Sequence, residues 1–410
     1  MNGSAPAPAA ITGLGLVTPA GVGVAPTWDR ILRGRPTAVR HHDLAGLPVD
    51  ICCPVTGLDP DALLGRRNAW RLDRVSHLAL IAAAEAIGDA GLDPGAWDGA
   101  RVGVVLGNAL GGSRTYEDAY DTVRTQGPEW VSSLAMVNGP VNMIAGHLSI
   151  RFEARGPNMV VATACASGTS AIGVARHLLA ANACDIVITG AAEAPLARTP
   201  MSAYARMGAL SQRLHDPLGA SRPFDVDRDG FVAAEGAAIL ILERVEDARA
   251  RGARAHAFVR GYGASADAHH ASAPDPDGHG IARAVRAAMT DADLSLADVE
   301  HVNAHGTSTP LNDLTEGRLI AGLYPGQPAV TSAKGVTGHT LGAAGAIEAA
   351  LTALTVEHGL IPPTANLDKL DPELDIDVVS GRPRQAAVRV AVSHSLGFGG
   401  QNAALLLTRD

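Results

Sequence analysis

Short apolar runs rich in β-branched residues punctuate the chain: Arg101–Leu106 (RVGVVL), Met159–Ala162, Asp185–Thr189, Ala238–Leu242 and Val388–Val392. Hydrophobicity that is continuous rather than alternating predicts strands covered on both faces. Ala-rich stretches at Ser76–Ala90, Gly168–Ala181, Gly280–Ala288 and Ala343–Glu357 predict the helices between them. Strand and helix alternate, so the predicted class is α/β. The pattern also repeats. Residues 82–112 echo residues 284–310, each a helix, an Asp-Ala turn, a polar stretch, then a strand ending in a Gly-containing loop. Strand, turn and small-residue helix follow at 159–180 and again at 329–354. Two related halves, residues 1–255 and 256–410, are the simplest organisation.

Composition narrows the function classes. The 410 residues are 47% hydrophobic and 18% charged, enough apolar content for a large core. A net charge of −9 without a basic block argues against nucleic-acid binding. No apolar run approaches the ~18 residues of a membrane span. Met1–Ala10 lacks the basic start and apolar stretch of a signal peptide, so a cytoplasmic location is expected. Cys52, Cys53, Cys165 and Cys184 have no zinc-type spacing and predict no disulfide framework. Only two lysines occur, Lys334 and Lys369, which draws attention to where they stand.

Four segments carry candidate chemistry. Cys165 lies in VVATACASGTSAIG, between a β-branched strand and a small-residue helix. The free N–H groups of a first helical turn would favour its thiolate and could bind an oxyanion. A cysteine there could also be inert and pack like alanine. His305 follows a strand in VNAHGTSTPLNDLTEG, where the hydroxyls of Thr307, Ser308 and Thr309 can bond an amide or a phosphate ester. Lys334 and His339 flank a Gly-rich turn in TSAKGVTGHTLGAAGAIEA. In VSHSLGFGGQNAALLL a strand enters a turn whose glycines Gly397, Gly399 and Gly400 permit positive φ, with Phe398 placed to gate a pocket.

In this order, TACASG, NAHGTSTP, K-x4-H and GFGG resemble the elongating β-ketoacyl-acyl-carrier-protein synthases. The likeness is nearest to the synthase II type and to ketosynthases of type II polyketide systems. It starts at ITGLGLVTPAG (residues 11–21) and runs through RGPNMVVATACASG and ASRPFDVDRDGFVAAEGA over nearly the whole chain. The resemblance implies the thiolase fold, a duplicated five-layered αβαβα arrangement, and usually a dimer. It implies decarboxylative condensation of malonyl-acyl-carrier protein with an acyl chain on Cys165. His305 and His339 would hold the enolate, while Lys334 and Glu316 would form a supporting ion pair. Thr307 and Thr309 would contact the phosphopantetheine arm, and Cys165 and Phe398 N–H groups would form the oxyanion hole. Phe398, Leu110 and Gly399 would border the acyl path. No redox cofactor or catalytic metal is implied; Asn303, Glu348 and Ser393 match a structural cation site of some relatives.

His394 and Leu396 depart from the resemblance, standing where relatives often carry Asn and Phe. Leu396 would widen the acyl pocket, which fits a specialised pathway. The expected partner is an acidic acyl carrier protein, docking on Arg66, Arg67 and Arg71. The alternatives are a ketosynthase active only as a heterodimer with a chain-length factor, and a non-catalytic thiolase-fold partner. Cys165 argues against the second. A thiolase would need another reactive Cys near the C-terminus, and the last here is Cys184.

Overall fold

The β-branched runs assemble into a single path of strands. The computed structural model describes residues 7–410, so the start of the N-terminal half and of the Met1–Ala10 segment, residues 1–6, lies outside the described residues. The N-terminal strands are β1 (Ala9–Thr18), β2 (Val102–Gly107), β3 (Asn158–Val161), β4 (Ile186–Glu193) and β5 (Gly236–Arg244). The C-terminal ones are β6 (Ala257–Ala266), β7 (His301–Asn303), β8 (Ala329–Thr331), β9 (Val390–Gly397) and β10 (Gln401–Thr408). Their spatial order is β8-β7-β9-β10-β6-β1-β5-β4-β2-β3, with Gly21–Val22 hairpinned onto β1.

Outward from the centre, each set of five follows one scheme: first, fifth, fourth, second, third strand. The first two pairings in each set are antiparallel and the last two parallel. The two sets join where Ala9–Ile11 pairs antiparallel with Val259–Ala257.

Helix α1 (Arg74–Asp89) covers the outer face of β1, β5 and β4. Its counterpart α3 (His279–Ala292) covers β6 and β10. Between the two half-sheets lie α2 (Ser167–Ala180) and α5 (Ala344–His358), packed on each other and on strands of both sets. The layers are therefore αβαβα. Helix α5 is buried almost throughout, which explains why its sequence is apolar on all sides. Helix α4 (Pro310–Leu323) starts with proline at its first position after His305's loop. Among the described residues no helix is long and apolar enough to cross a membrane.

Candidate active site

The nucleophile candidate sits on a strained turn. After β3 the chain makes a 3₁₀ turn at Ala164–Ala166, with Ala164 at φ +48°, before entering α2. Positive φ at alanine costs about 1–3 kcal/mol and persists only where the surroundings enforce it. The other half repeats the turn at Leu341–Ala343, with Leu341 at φ +46°, before α5. The two helix starts interlock through glycine. A Cβ on Gly168 would lie 2.6 Å from Ala346 N, and one on Gly345 would overlap Thr169 Oγ1. Cys165 and His339 are thereby drawn to one point at the centre of the molecule.

Cys165 is only 6% exposed. Burial pushes its thiol up to about 11, against the pull of Lys334's ammonium and an N–H bond from Phe398. This corrects the expectation of a resting thiolate at the helix start: the desolvation cost exceeds those nearby positive contributions. His305 and His339 are buried, their rings edge-to-face with centroids 5.2 Å apart. Burial, with Lys334 beside them, holds both well below the ordinary histidine range, so both are neutral near pH 7. Cys165 Sγ and one nitrogen from each ring all lie within 4.8 Å of one another.

Lys334, buried at 1% exposure, binds the His305 carbonyl at 2.6 Å and reaches His305 Nδ1 at 3.4 Å. An ammonium can only donate, so Nδ1 is the acceptor and the His305 proton sits on Nε2. The expected Lys334–Glu316 ion pair is absent. Lys334 pairs instead with Glu348, on α5, while Glu316 accepts the backbone N–H groups of His305 at 2.8 Å and Gly306 at 2.7 Å. Burial raises Glu348 to about 7 despite this pairing. Asn303 Nδ2 binds the Glu348 carbonyl at 3.2 Å and Thr352 Oγ1 at 3.0 Å. Asn303 Oδ1, Glu348 Oε2 and Ser393 Oγ are buried with no hydrogen-bond partner, an all-oxygen donor set suited to a hard cation.

A cavity of about 370 Å³ opens on this centre, lined by Cys165, His305, His339, Thr307, Thr309 and Phe398, and also by Leu396. The Thr307 and Thr309 hydroxyls lie 2.9 Å apart. Leu110 and Gly399 do not line it. Leu110 packs with the cluster around Cys165, and its N–H bonds Glu193 at 3.3 Å. Gly399, at φ +81°, turns the chain and bonds the Ala271 carbonyl at 2.8 Å. Arg66 and Arg67 lie exposed on the one-turn helix Arg66–Ala69, whereas Arg71 falls beyond its end and stacks on Trp70 at 5.4 Å.

Models of the β-ketoacyl synthase N-terminal domain and C-terminal domain match residues 7–248 and 256–368. The chain belongs to the β-ketoacyl synthase family. It is 40% identical over 400 residues to 3-oxoacyl-[acyl-carrier-protein] synthase 2 of Synechocystis sp., covering 96% of each chain. Its identity to the Rhizobium meliloti enzyme of the same name is also 40%, over 97% of this chain and 98% of the other. Among solved structures, the ishigamide ketosynthase/chain length factor aligns with a TM-score of 0.92 at 33% identity, covering 98% of this chain and 99% of that one. A type II polyketide acyl-carrier protein in complex with its ketosynthase, bound to the hexaketide, aligns at 0.90 and 31% identity, covering 98% and 99%.

Several residues that hold this ketosynthase site were not singled out by sequence reasoning. Phe231 lies edge-on to His339 at 5.3 Å and lines the cavity. Asp313 accepts the N–H of Ser308 and, at 2.8 Å, that of Phe224; burial raises it to about 6. Glu193, raised to about 7 by burial, takes the N–H groups of Ala109, Leu110 and Gly342. It thereby ties the Leu110 loop to the turn after His339. Buried acids within reach of strand-end loops were the available signal, and only topology says which loops they reach.

Proposed function

We propose that the chain joins an acyl chain held on Cys165 to a malonyl unit presented by an acyl carrier protein, releasing CO₂ and a β-ketoacyl thioester. The activity belongs to fatty-acid or type II polyketide biosynthesis. The observation that carries the residue roles is the meeting of Cys165, His305 and His339 at one cavity, with atoms within 4.8 Å of one another.

Cys165 Sγ attacks the acyl thioester carbonyl, and its proton passes to the departing pantetheine thiolate. The oxyanion formed meets the N–H groups of Cys165 and Phe398. The malonyl thioester enters next. Its carbon–carbon bond to CO₂ breaks, and the electron pair moves into an enolate whose oxygen accepts from His305 Nε2–H and from His339. Neutral imidazoles suit this role because each is a donor with no proton to lose easily, worth about 3 kcal/mol of transition-state stabilisation. The enolate carbon attacks the acyl-Cys165 carbonyl, and collapse expels the Cys165 thiolate, which takes a proton from water to restore the resting thiol. Thr307 and Thr309 bind the pantetheine amides. Leu110 and Gly399 act behind the cavity wall, supporting the gate that Phe398 forms. Leu396 leaves room for a bulky acyl chain, whose identity turnover on saturated against polyenoyl carriers would reveal.

The carrier protein is the partner that delivers both substrates, with Arg66, Arg67 and Arg71 as its dock. All three are exposed, Arg66 and Arg67 on the one-turn helix and Arg71 over the Trp70 ring, so their guanidinium groups face the side an acidic surface would approach. The functional unit is a dimer, with a second copy or a chain-length factor. The two halves divide near residue 255, in the connection between β5 and β6. A cation on Asn303, Glu348 and Ser393 would be structural, balancing oxygen atoms beneath Lys334; no catalytic step uses it. Its signature would be a thermal midpoint that rises with added Mg²⁺ or K⁺ in the wild type but not in Ser393→Ala.

The decisive measurement is the intact mass after incubation with an octanoyl carrier protein. One acyl addition is expected, absent in Cys165→Ala and slowed in Arg66→Glu/Arg67→Glu. Folded wild-type protein that gains no mass across a panel of acyl chains and carriers, alone and with a chain-length factor, would remove the Cys165 assignment.

A further inference from the structure

His394 lies on β9, three residues before the Gly397–Gly400 turn, and is fully buried. Its ring joins two neighbours. Nδ1 is 3.1 Å from Glu316 Oε1, and Nε2 is 2.8 Å from the Tyr324 hydroxyl. Both Glu316 oxygens already accept amide N–H groups, so the carboxylate is the acceptor and Nδ1 the donor. Nε2 is then left to accept the Tyr324 O–H. One neutral tautomer satisfies both ring nitrogens and the hydroxyl, and the two rings lie side by side and nearly coplanar, centroids 6.0 Å apart with 19° between their planes. Glu316 and Tyr324 are themselves buried, so no solvent competes for these bonds.

The row ends at the reacting centre. Glu316 Oε1, the atom His394 holds, also binds the His305 N–H, and Oε2 binds the next amide, Gly306. The far side of His305 is held by Lys334 on its carbonyl and Nδ1. The loop is thus clamped between a carboxylate and an ammonium that do not touch each other. Among the described residues Glu316 pairs with no lysine or arginine; Asn312 Nδ2 reaches its Oε2 at 3.4 Å, and His394, on β9, is the side chain that holds Oε1, the oxygen bonded to the His305 N–H. An asparagine at this position would be too short to span both Glu316 and Tyr324.

We infer that His394 is a positioning residue for His305, fixing Glu316 and through it the aim of the His305 Nε2–H at the enolate oxygen. The inference rests on the proposed role of His305, and it separates two half-reactions. Transfer of the acyl chain to Cys165 needs the sulfur and the N–H pair, whereas malonyl decarboxylation needs the His305 donor.

The test measures both half-reactions in the full-length protein, together with the thermal midpoint. His394→Phe is expected to lower kcat for malonyl-carrier decarboxylation by about ten- to a hundredfold, the cost of a small misplacement of a reacting group. KM and the rate of Cys165 acylation are expected to stay near wild type. His394→Gln, which can still donate an N–H toward Glu316, is expected to recover most of the loss. Should His394→Phe not fold, Tyr324→Phe reads the same split, because it releases Nε2 and lets the ring swing. Wild-type decarboxylation in a folded His394→Phe overturns the inference, as does equal loss of both half-reactions with no recovery in His394→Gln. A wild-type protein that acylates Cys165 but never decarboxylates malonyl carrier fails at the function proposal instead, before His394 is at issue.

Discussion

Cys165 and its imidazoles are matched by their protonation states. The thiol is pushed up to about 11 by burial, and both rings are held neutral by burial and by Lys334. The resting site therefore carries no thiolate–imidazolium pair, and its sulfur should be a poor nucleophile toward a generic reagent. Alkylation by iodoacetamide is expected to rise about tenfold per pH unit from pH 7 to pH 9 without a plateau, because the thiolate fraction grows with pH below the pKa. The sign is set by burial, which disfavours the anion; a plateau below pH 8 would mean the helix start and Lys334 outweigh desolvation. Cys165 and His305 were singled out in sequence because each follows a short strand and precedes small residues, Lys334 and His339 because they flank a Gly-containing turn. The partner of Lys334 was not. Glu316 and Glu348 are both buried acids, and only the placement of α4 and α5 decides that Glu348 meets the ammonium.

At the scale of elements, glycine sets how close each outer helix lies. A Cβ on Gly13 or Gly15 of β1 would overlap the carbonyl of Ala86 or Ala82 on α1. A Cβ on Gly261 or Gly263 of β6 would overlap that of Ala288 or Ala284 on α3. The same device appears in both halves, at the same edge of each five-strand set. Gly15→Val should force the layers apart and cost at least about 1–3 kcal/mol, lowering the thermal midpoint by at least about 1–4 °C in a chain of this length. Gly88→Ala is the control: Gly88 lies on the exposed side of α1 with nothing near its missing Cβ. It should leave the midpoint unchanged or raise it slightly through helix propensity. Equal effects from the two variants would refute close packing as the reason for Gly15. The apolar runs announced their strands well, Arg101–Leu106 as Val102–Gly107 and Asp185–Thr189 as Ile186–Glu193, but the Met159–Ala162 run, expected to be covered on both faces, is the half-exposed edge strand Asn158–Val161. Strands with glycine in their interior, such as β6, were less legible, since glycine interrupts the apolar pattern for a packing reason that sequence does not display.

At the scale of the molecule, the two ends of the strand path are not equally covered. β3 pairs on one side only, with β2, and its Asn158 and Met159 are exposed. The helix Met143–Phe152 packs on it and leaves Ile150 at 76% exposure. An open strand edge beside an uncovered isoleucine is a surface that invites a further strand. β8, at the opposite end, is fully buried. A second copy of the chain suits β3, because an isologous contact can set two such edges antiparallel and close the assembly after one pairing. β3 also runs directly into the Ala164–Ala166 turn, so whatever pairs with it stiffens the strained elbow under Cys165. The purified protein is therefore expected to scatter light as a particle of twice 41.9 kDa. Met159→Asp, placing a charge on the open edge, is expected to yield monomer and to slow acylation of Cys165. A wild-type monomer that assembles only when a chain-length factor is added would reject the second copy as occupant and keep the edge. A Met159→Asp dimer with unchanged acylation would reject the edge itself.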